Sequence, residues 1–186
     1  MIESISILDQ EILLAINSIT GNAFVDSLMV LISSRVVWIP LYVFLTYSVF
    51  RKFGVASTLW ILVSAGVLVV LTDQVSVHFF KNVFLRLRPC HNPALEDVLY
   101  LASGRCGGQY GFVSSHATNV FGLSAFIIML FGRTNPIWYL MFLWAGLVSF
   151  SRIYLAVHYP LDVLAGAVLG VLIGIGIATL TKKIVD

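Results

Sequence analysis

Long apolar runs separated by short polar clusters dominate the chain: Val36–Phe50, Val55–Phe84 with polar interruptions, Ala117–Phe131, Pro136–Val157 and Leu161–Leu180. Crossing the roughly 30 Å hydrocarbon core takes about 20 mostly apolar helical residues, so these runs predict five spans. Between Ile5 and Ile19 the apolar positions are interspersed at helical spacing with Asp9, Gln10, Glu11 and Asn17. That suits an amphipathic helix lying in the interface, and it leaves open a sixth span before Val36. The expected fold class is all-α: a polytopic membrane helix bundle of five to six transmembrane helices plus the N-terminal amphipathic interfacial helix. One domain is expected over 1–186, with N-terminal helices in 1–34 and the transmembrane core in 35–182.

Composition agrees with a membrane solvent. The chain is 59% hydrophobic and 11% charged, against about 45–50% and 25% in soluble domains, and its mean hydropathy is +0.97. A formal charge of +2, with no Lys/Arg run interleaved with aromatics, argues against nucleic-acid binding. The start, Met1-Ile2-Glu3-Ser4, lacks the positive segment of a cleavable signal, so the spans themselves are expected to direct insertion. Arg51-Lys52, Arg133 and Lys182-Lys183 fall on one side of a five-span topology, which the positive-inside rule makes cytoplasmic. The C-terminus is then inside, and the 86–114 loop and the His158-Tyr159-Pro160 turn share the outer face, expected to be the periplasmic side of a bacterial inner membrane. In that oxidising space Cys90 and Cys106 either close a disulfide loop of about 15 residues or remain free thiols; their spacing fits neither a CxxC redox motif nor a zinc site.

Three polar groups converge on that face. Lys81 and Arg88 are seven apart at the end of the second span, about two helical turns on one face, although Pro89 disfavours helix at Arg88. Ser114-Ser115-His116 precedes the third span, where Ser114 suits an N-cap and the positive helix end suits an anion. Ser151-Arg152 and His158-Tyr159-Pro160-Leu161-Asp162 join the last two spans. Pro160 suits a first helical turn, so His158 and Asp162 can pair, the carboxylate fixing one imidazole nitrogen and leaving the other to attack. Arg152 adds a planar donor fork for phosphate oxygens. Alone, each segment also reads as interfacial anchors, a plain cap or a structural Arg152–Asp162 ion pair. Together they form a kit for phosphoryl transfer, in which cations and amides stabilise spread negative charge, one histidine attacks and another protonates the leaving oxygen. A metal site is disfavoured, since the two histidines have only Asp162 as a nearby carboxylate.

These residues resemble the type 2 phosphatidic acid phosphatase family, related to vanadium haloperoxidases, whose signature is K-x6-RP, PSGH and SR-x5-H-x3-D. Lys81…Arg88-Pro89 and Ser151-Arg152…His158…Asp162 match the outer motifs in full, while the middle one reads Val113-Ser114-Ser115-His116, with Val for Pro and Ser115 for Gly. The resemblance implies His158 as a nucleophile forming phosphohistidine, Asp162 as its orienting partner and His116 as the acid for the leaving group. Lys81, Arg88, Ser114, Ser115 and Arg152 would hold the phosphate, with no metal and no cofactor. It also implies a lipid phosphate or pyrophosphate substrate drawn from the bilayer. Undecaprenyl pyrophosphate is favoured over phosphatidylglycerol phosphate, phosphatidic acid and lipid A phosphates, though no residue decides it. A lipid-to-lipid phosphotransferase and a non-enzymatic lipid-phosphate transporter or binding protein are the alternatives. Asp73, outside the signature, reads as a hydrogen-bonding residue of the bundle, and Gly166, Gly170, Gly174 and Gly176 as helix packing.

Overall fold

The computed structural model describes residues 2–132 and 135–185; Arg133, one of the cations used to orient the chain, lies outside them. The fold is all-helical: α1 (Ile2–Asn17), α2 (Ala23–Ser33), α3 (Ile39–Val75), a π-helical turn Ser76–Lys81 running into the short α4 (Asn82–Phe84), α5 (Ser115–Phe131), α6 (Leu140–Tyr154) and α7 (Pro160–Val185). Length and apolarity suffice for crossing a membrane in Val36–Phe84, Pro136–Tyr154 and Pro160–Val185. Bulky side chains such as Val63, Leu143 and Leu172 face outward, while Thr72, Ser76, Thr118 and Ser124 are buried. Lipid makes that inversion favourable, because a hydroxyl inside the bundle finds a carbonyl: Ser124 Oγ donates to Val120 O at 2.7 Å and to Met141 O at 2.8 Å.

As one rod, the 37 residues of α3 would reach about 55 Å, nearly twice the hydrocarbon core. Gly54 breaks it, at φ 76° and ψ −178°, a conformation open essentially to glycine alone. The halves fold back on each other: Tyr42, Leu45 and Val49 of the first line the same cavity as Ile61, Leu62 and Val69 of the second. At the fold's tip Lys52 Nζ donates to Leu130 O at 2.7 Å, near the end of α5. Arg51 and Lys52, with Lys182 and Lys183 at the end of α7, therefore sit opposite the Ser115 end of α5.

Helices α5 and α7 form the closest pair. A Cβ on Gly166 would lie 2.7 Å from Ser114 O, and Cβ atoms on Gly170 and Gly174 would meet the carbonyls of Thr118 and Gly122. Three glycines four residues apart thus let the backbones touch and set the depth of the α7 start against the α5 start. Gly176 faces open space and takes no part. The core beyond them joins Leu45, Val49, Ile61, Phe126, Trp144 and Val148.

The N-terminal region expected to hold helices over 1–34 has two, α1 at the amphipathic stretch and α2 where a sixth span was left open. The 11 residues of α2 measure about 16 Å, too short to span. Both pack on α6, and α2 is anchored through Asp26, which accepts from Tyr154 Oη at 2.7 Å.

Candidate active site

The third motif is shaped by where α6 stops. The helix ends at Tyr154, three residues before the apolar run does, and Ala156 in a left-handed conformation at φ 55° turns the chain back. His158 is thereby placed ahead of Pro160, at the N-terminus of α7, with 1% exposure. Its Nδ1 lies 3.4 Å from Asp162 Oδ2, which also accepts the Tyr159 amide at 3.1 Å. Nε2 is the nitrogen left for chemistry. Burial first, and then the positive charges of Arg88, Arg152 and Lys81, hold His158 well below the usual histidine range, which favours the neutral imidazole.

Lys81 ends the π-helical turn, a wide-turn geometry frequent at functional sites, and its Nζ donates to Ser115 Oγ at 2.7 Å. The helix then stops at Phe84, with Leu85 left-handed at φ 49°. Arg88 is thus not on the helical face of Lys81, as a seven-residue spacing suggests. It lies on extended chain paired with the segment before α5: Arg88 N donates to Gln109 O at 3.0 Å and Gly111 N to Arg86 O at 2.8 Å. Alternate residues of extended chain point the same way, which sends Arg86 and Arg88 both toward the site. The Arg88 guanidinium is held by Tyr110 O and Cys106 O, each at 3.3 Å, and burial lowers its pKa. Cys106 is disulfide-bonded to Cys90, Cα–Cα 5.9 Å.

Ser114 caps α5, its Oγ 3.5 Å from the Ala117 amide and its own amide donating to Asp162 O at 2.9 Å. Arg152, in the last turn of α6, donates to Ser33 Oγ, and its buried Nε has no hydrogen-bond partner among the described residues, a donor left over for a ligand oxygen.

Lys81, Arg88, Ser115, His116, Arg152 and His158 line one cavity of about 450 Å³. Ser114 and Asp162, fully buried, stand behind its wall. Arg35, Asp73 and Arg105 also line it, so Asp73 is a wall residue of the site as well as part of the helix. A second cavity of about 540 Å³, lined by Tyr42, Leu45, Ile61, Val69, Phe126 and Trp144 among others, shares Ser33, Ser34, Arg35 and His116 with the first. A polar chamber therefore adjoins an apolar one inside the bundle, with these residues as the wall between them. Among the described residues no three His, Cys, Asp or Glu side chains gather as a metal site.

Three contributors escape a sequence reading. Arg86 donates to Asp162 Oδ1 at 2.7 Å, taking the place of the Arg152–Asp162 pair considered above; burial works against its charge, but Asp162 and Asp9 outweigh it and raise its pKa. Asp9 joins from α1. Gly111 leaves room for the His158–Asp162 pair, since a Cβ there would sit 2.9 Å from Asp162 Oδ2 and 3.5 Å from His158 Nδ1. Only the Arg-x-Arg spacing hinted at Arg86, and only on the assumption of extended chain.

The sequence pattern of the PAP2 superfamily matches residues 55–186. The chain belongs to that family. It is 37% identical over 174 residues to the lipid A 4'-phosphatase of Bacteroides thetaiotaomicron, covering 91% of this chain and 75% of that protein. It is 35% identical over 154 residues to the undecaprenyl-diphosphatase of Sulfolobus acidocaldarius, covering 80% and 66%. The transmembrane PAP2-type phosphatidylglycerolphosphate phosphatase of Bacillus subtilis superposes with a TM-score of 0.69 at 22% identity, covering 97% of this chain and 88% of that one, and shares its fold. The protein is an integral membrane hydrolase, a lipid phosphatase of the PAP2 type.

Proposed function

We propose that the protein hydrolyses a phosphate monoester of a lipid A-type glycolipid through a phosphohistidine on His158. The observation that carries the mechanism is the neutral, buried His158, paired with Asp162 and facing a cavity walled by Lys81, Arg88 and Arg152. Nε2 attacks phosphorus as the P–O ester bond breaks, and His116, whose pKa burial and the neighbouring cations hold down at about 2 in the free site, takes up a proton with the phosphate anion, whose charge offsets those cations, and gives it to the departing lipid oxygen. Water then attacks the phosphohistidine, returning a proton to His116 and releasing inorganic phosphate. The cations and the Ser115 hydroxyl hold the equatorial oxygens where charge spreads, with Ser114 shaping the helix start behind them. No metal takes part in this scheme. The apolar chamber beside His116 suits an acyl chain.

A lipid A-type substrate is supported by the lipid A 4'-phosphatase of Bacteroides thetaiotaomicron, 37% identical over 91% of the chain. Undecaprenyl diphosphate is the second reading, favoured by Arg35 and Arg105, two further cations on the wall that suit a second phosphate. The proposed topology puts the site on the periplasmic side of an inner membrane, with Arg51, Lys52, Lys182, Lys183 and the C-terminus in the cytoplasm.

Purified protein assayed in EDTA against lipid A, undecaprenyl diphosphate, phosphatidylglycerol phosphate and phosphatidic acid tests both parts. We expect fastest phosphate release from lipid A, and loss of release and of an acid-labile phosphoenzyme in folded His158→Ala. Strong EDTA inhibition rejects the metal-free scheme; phosphate passed to a second lipid, with none released, makes it a transferase.

A further inference from the structure

Beside the reacting groups lies a polar structure of two buried carboxylates centred on the partly buried Arg86, whose side chain is 25% exposed. Nη1 donates to Asp162 Oδ1 at 2.7 Å and Nη2 to Asp9 Oδ2 at 2.6 Å, so a single guanidinium fork bridges two carboxylates. Asp9 Oδ1 accepts the Leu161 amide at 2.8 Å, tying α1 to the first turn of α7. The guanidinium carbon stands 4.2 Å from the centre of the Tyr159 ring, and the Tyr159 hydroxyl accepts from Asn92 Nδ2 at 3.0 Å. Asp9 is 2% exposed and Asp162 0%.

Buried charges of this kind are a poor route to stability, since apolar residues of similar volume usually serve as well or better. Their value here is directional. Asp162 Oδ2 faces His158 Nδ1 and the Tyr159 amide, so only Oδ1 remains to fix rotation of the carboxylate, and Arg86 occupies it. Arg86 is in turn held from behind by Asp9, whose second oxygen is fixed by backbone. A chain of paired donors and acceptors thus runs from α1 to the imidazole, each member with its orientation set by the one before.

We propose that Asp9 and Arg86 form a positioning pair which fixes the Asp162 carboxylate and, through it, the attack direction of His158. Helix α1 then belongs to the active-site framework, although Asp9 lies outside residues 55–186, which carry the family pattern. The inference rests on the reading of His158 as nucleophile.

The test is kinetics of the full chain in detergent, on the lipid phosphate that turns over fastest, with rates normalised to monodisperse folded protein and with Arg86→Gln, Arg86→Lys, Asp9→Asn and the Asp9→Asn/Arg86→Lys double variant. Misplacing a reacting group by about 1 Å costs about 100-fold in rate, and loss of an orienting partner about 10- to 100-fold. Arg86→Lys keeps the charge without the fork and should lower kcat about 10- to 100-fold with little change in KM. Its pH profile should stay in place. Arg86→Gln should lose as much and also move the acid limb to higher pH. His158 is faced by Asp162 from α7, Arg88 from the loop, Arg152 from α6, Lys81 from the π-helical turn and His116 from α5, and removing the Arg86 charge tips that balance toward protonation. Asp9→Asn keeps the side-chain shape and should lower kcat about 10-fold, but add little on top of Arg86→Lys, because both break one chain. A purely structural role predicts a lowered melting temperature with parental kcat in the folded fraction, and that result overturns the proposal. Where Arg86→Gln does not fold, unchanged kcat in Asp9→Asn overturns it equally. His158→Ala separates the two readings: activity surviving there refutes the nucleophile, whereas a dead His158→Ala beside fully active Asp9 and Arg86 variants refutes only the positioning pair.

Discussion

At 1% exposure and facing three cations, His158 stays neutral at pH values where a free histidine is already charged. The folded protein then refuses a proton that the unfolded chain accepts below pH about 6.5. Native stability from this residue is intact above that pH and is lost as pH falls from about 6.5 toward the lowered folded value, at up to about 1.4 kcal/mol per pH unit. Melting temperatures measured between neutral and mildly acidic pH should therefore fall with acid, less steeply in His158→Gln than in the parent. Gly111 makes the second residue-scale case. Its absent Cβ is what lets Asp162 and His158 meet under the loop, so Gly111→Ala should fold and yet lose about 100-fold in kcat, a displacement effect. Parental turnover in that variant would show that the pair tolerates the methyl group. Ser115 stands where the family motif has glycine, and its side chain, bound to Lys81, is a hydroxyl on the cavity wall; Ser115→Ala should raise KM about 2- to 10-fold with kcat nearly kept, the worth of one hydrogen bond.

Elements meet the site through their ends. The first turn of α5, the last turn of α6 and the first turn of α7 converge because glycine contacts fix the α5–α7 register four residues at a time. Gly170→Ala would press a methyl into the Thr118 carbonyl, costing about 1–3 kcal/mol as overpacking and shifting Asp162 against Ser114. Gly176→Ala, which meets nothing within 4 Å, should be neutral or slightly stabilising. Melting curves of the two variants in one detergent check this difference; equal stability would remove the glycine stripe from the account. The glycine spacing announced close packing in advance, but which three of the four glycines touch depends on the rotation of α7, and that is decided by its neighbours.

Across the whole molecule, a loop outside the membrane and a chamber inside it share one wall. Arg88 leans on Cys106 O, and the Cys90–Cys106 disulfide holds that carbonyl in place. A bridge closing about 15 residues is worth about 3 kcal/mol by loop entropy. The Cys90→Ser/Cys106→Ser variant should accordingly melt at lower temperature and bind substrate more weakly, read as a raised KM; an unchanged KM would mean that Arg88 keeps its place without the bridge.

Read alone, the sequence determined the solvent and the local signals: apolar runs long enough to cross lipid, Ser114 as a cap, Pro160 at a helix start, and two motifs whose spacing brings Lys81, Arg88, Arg152, His158 and Asp162 to one face. These are properties of neighbours along the chain, set by helical period, capping and hydrophobic length. Tertiary structure decided the rest. Arg86 takes Asp162, Asp9 arrives from a helix 77 residues before Arg86 in sequence, Asp73 turns out to wall the cavity, and α3 folds at Gly54 so that Asp73 near its end and Arg35 ahead of its start wall the same cavity. Each of these depends on the direction in which a side chain leaves its element once distant segments pack. That direction is fixed by long-range contact and by the cost of burying a charge unpaired, neither of which is written in local pattern.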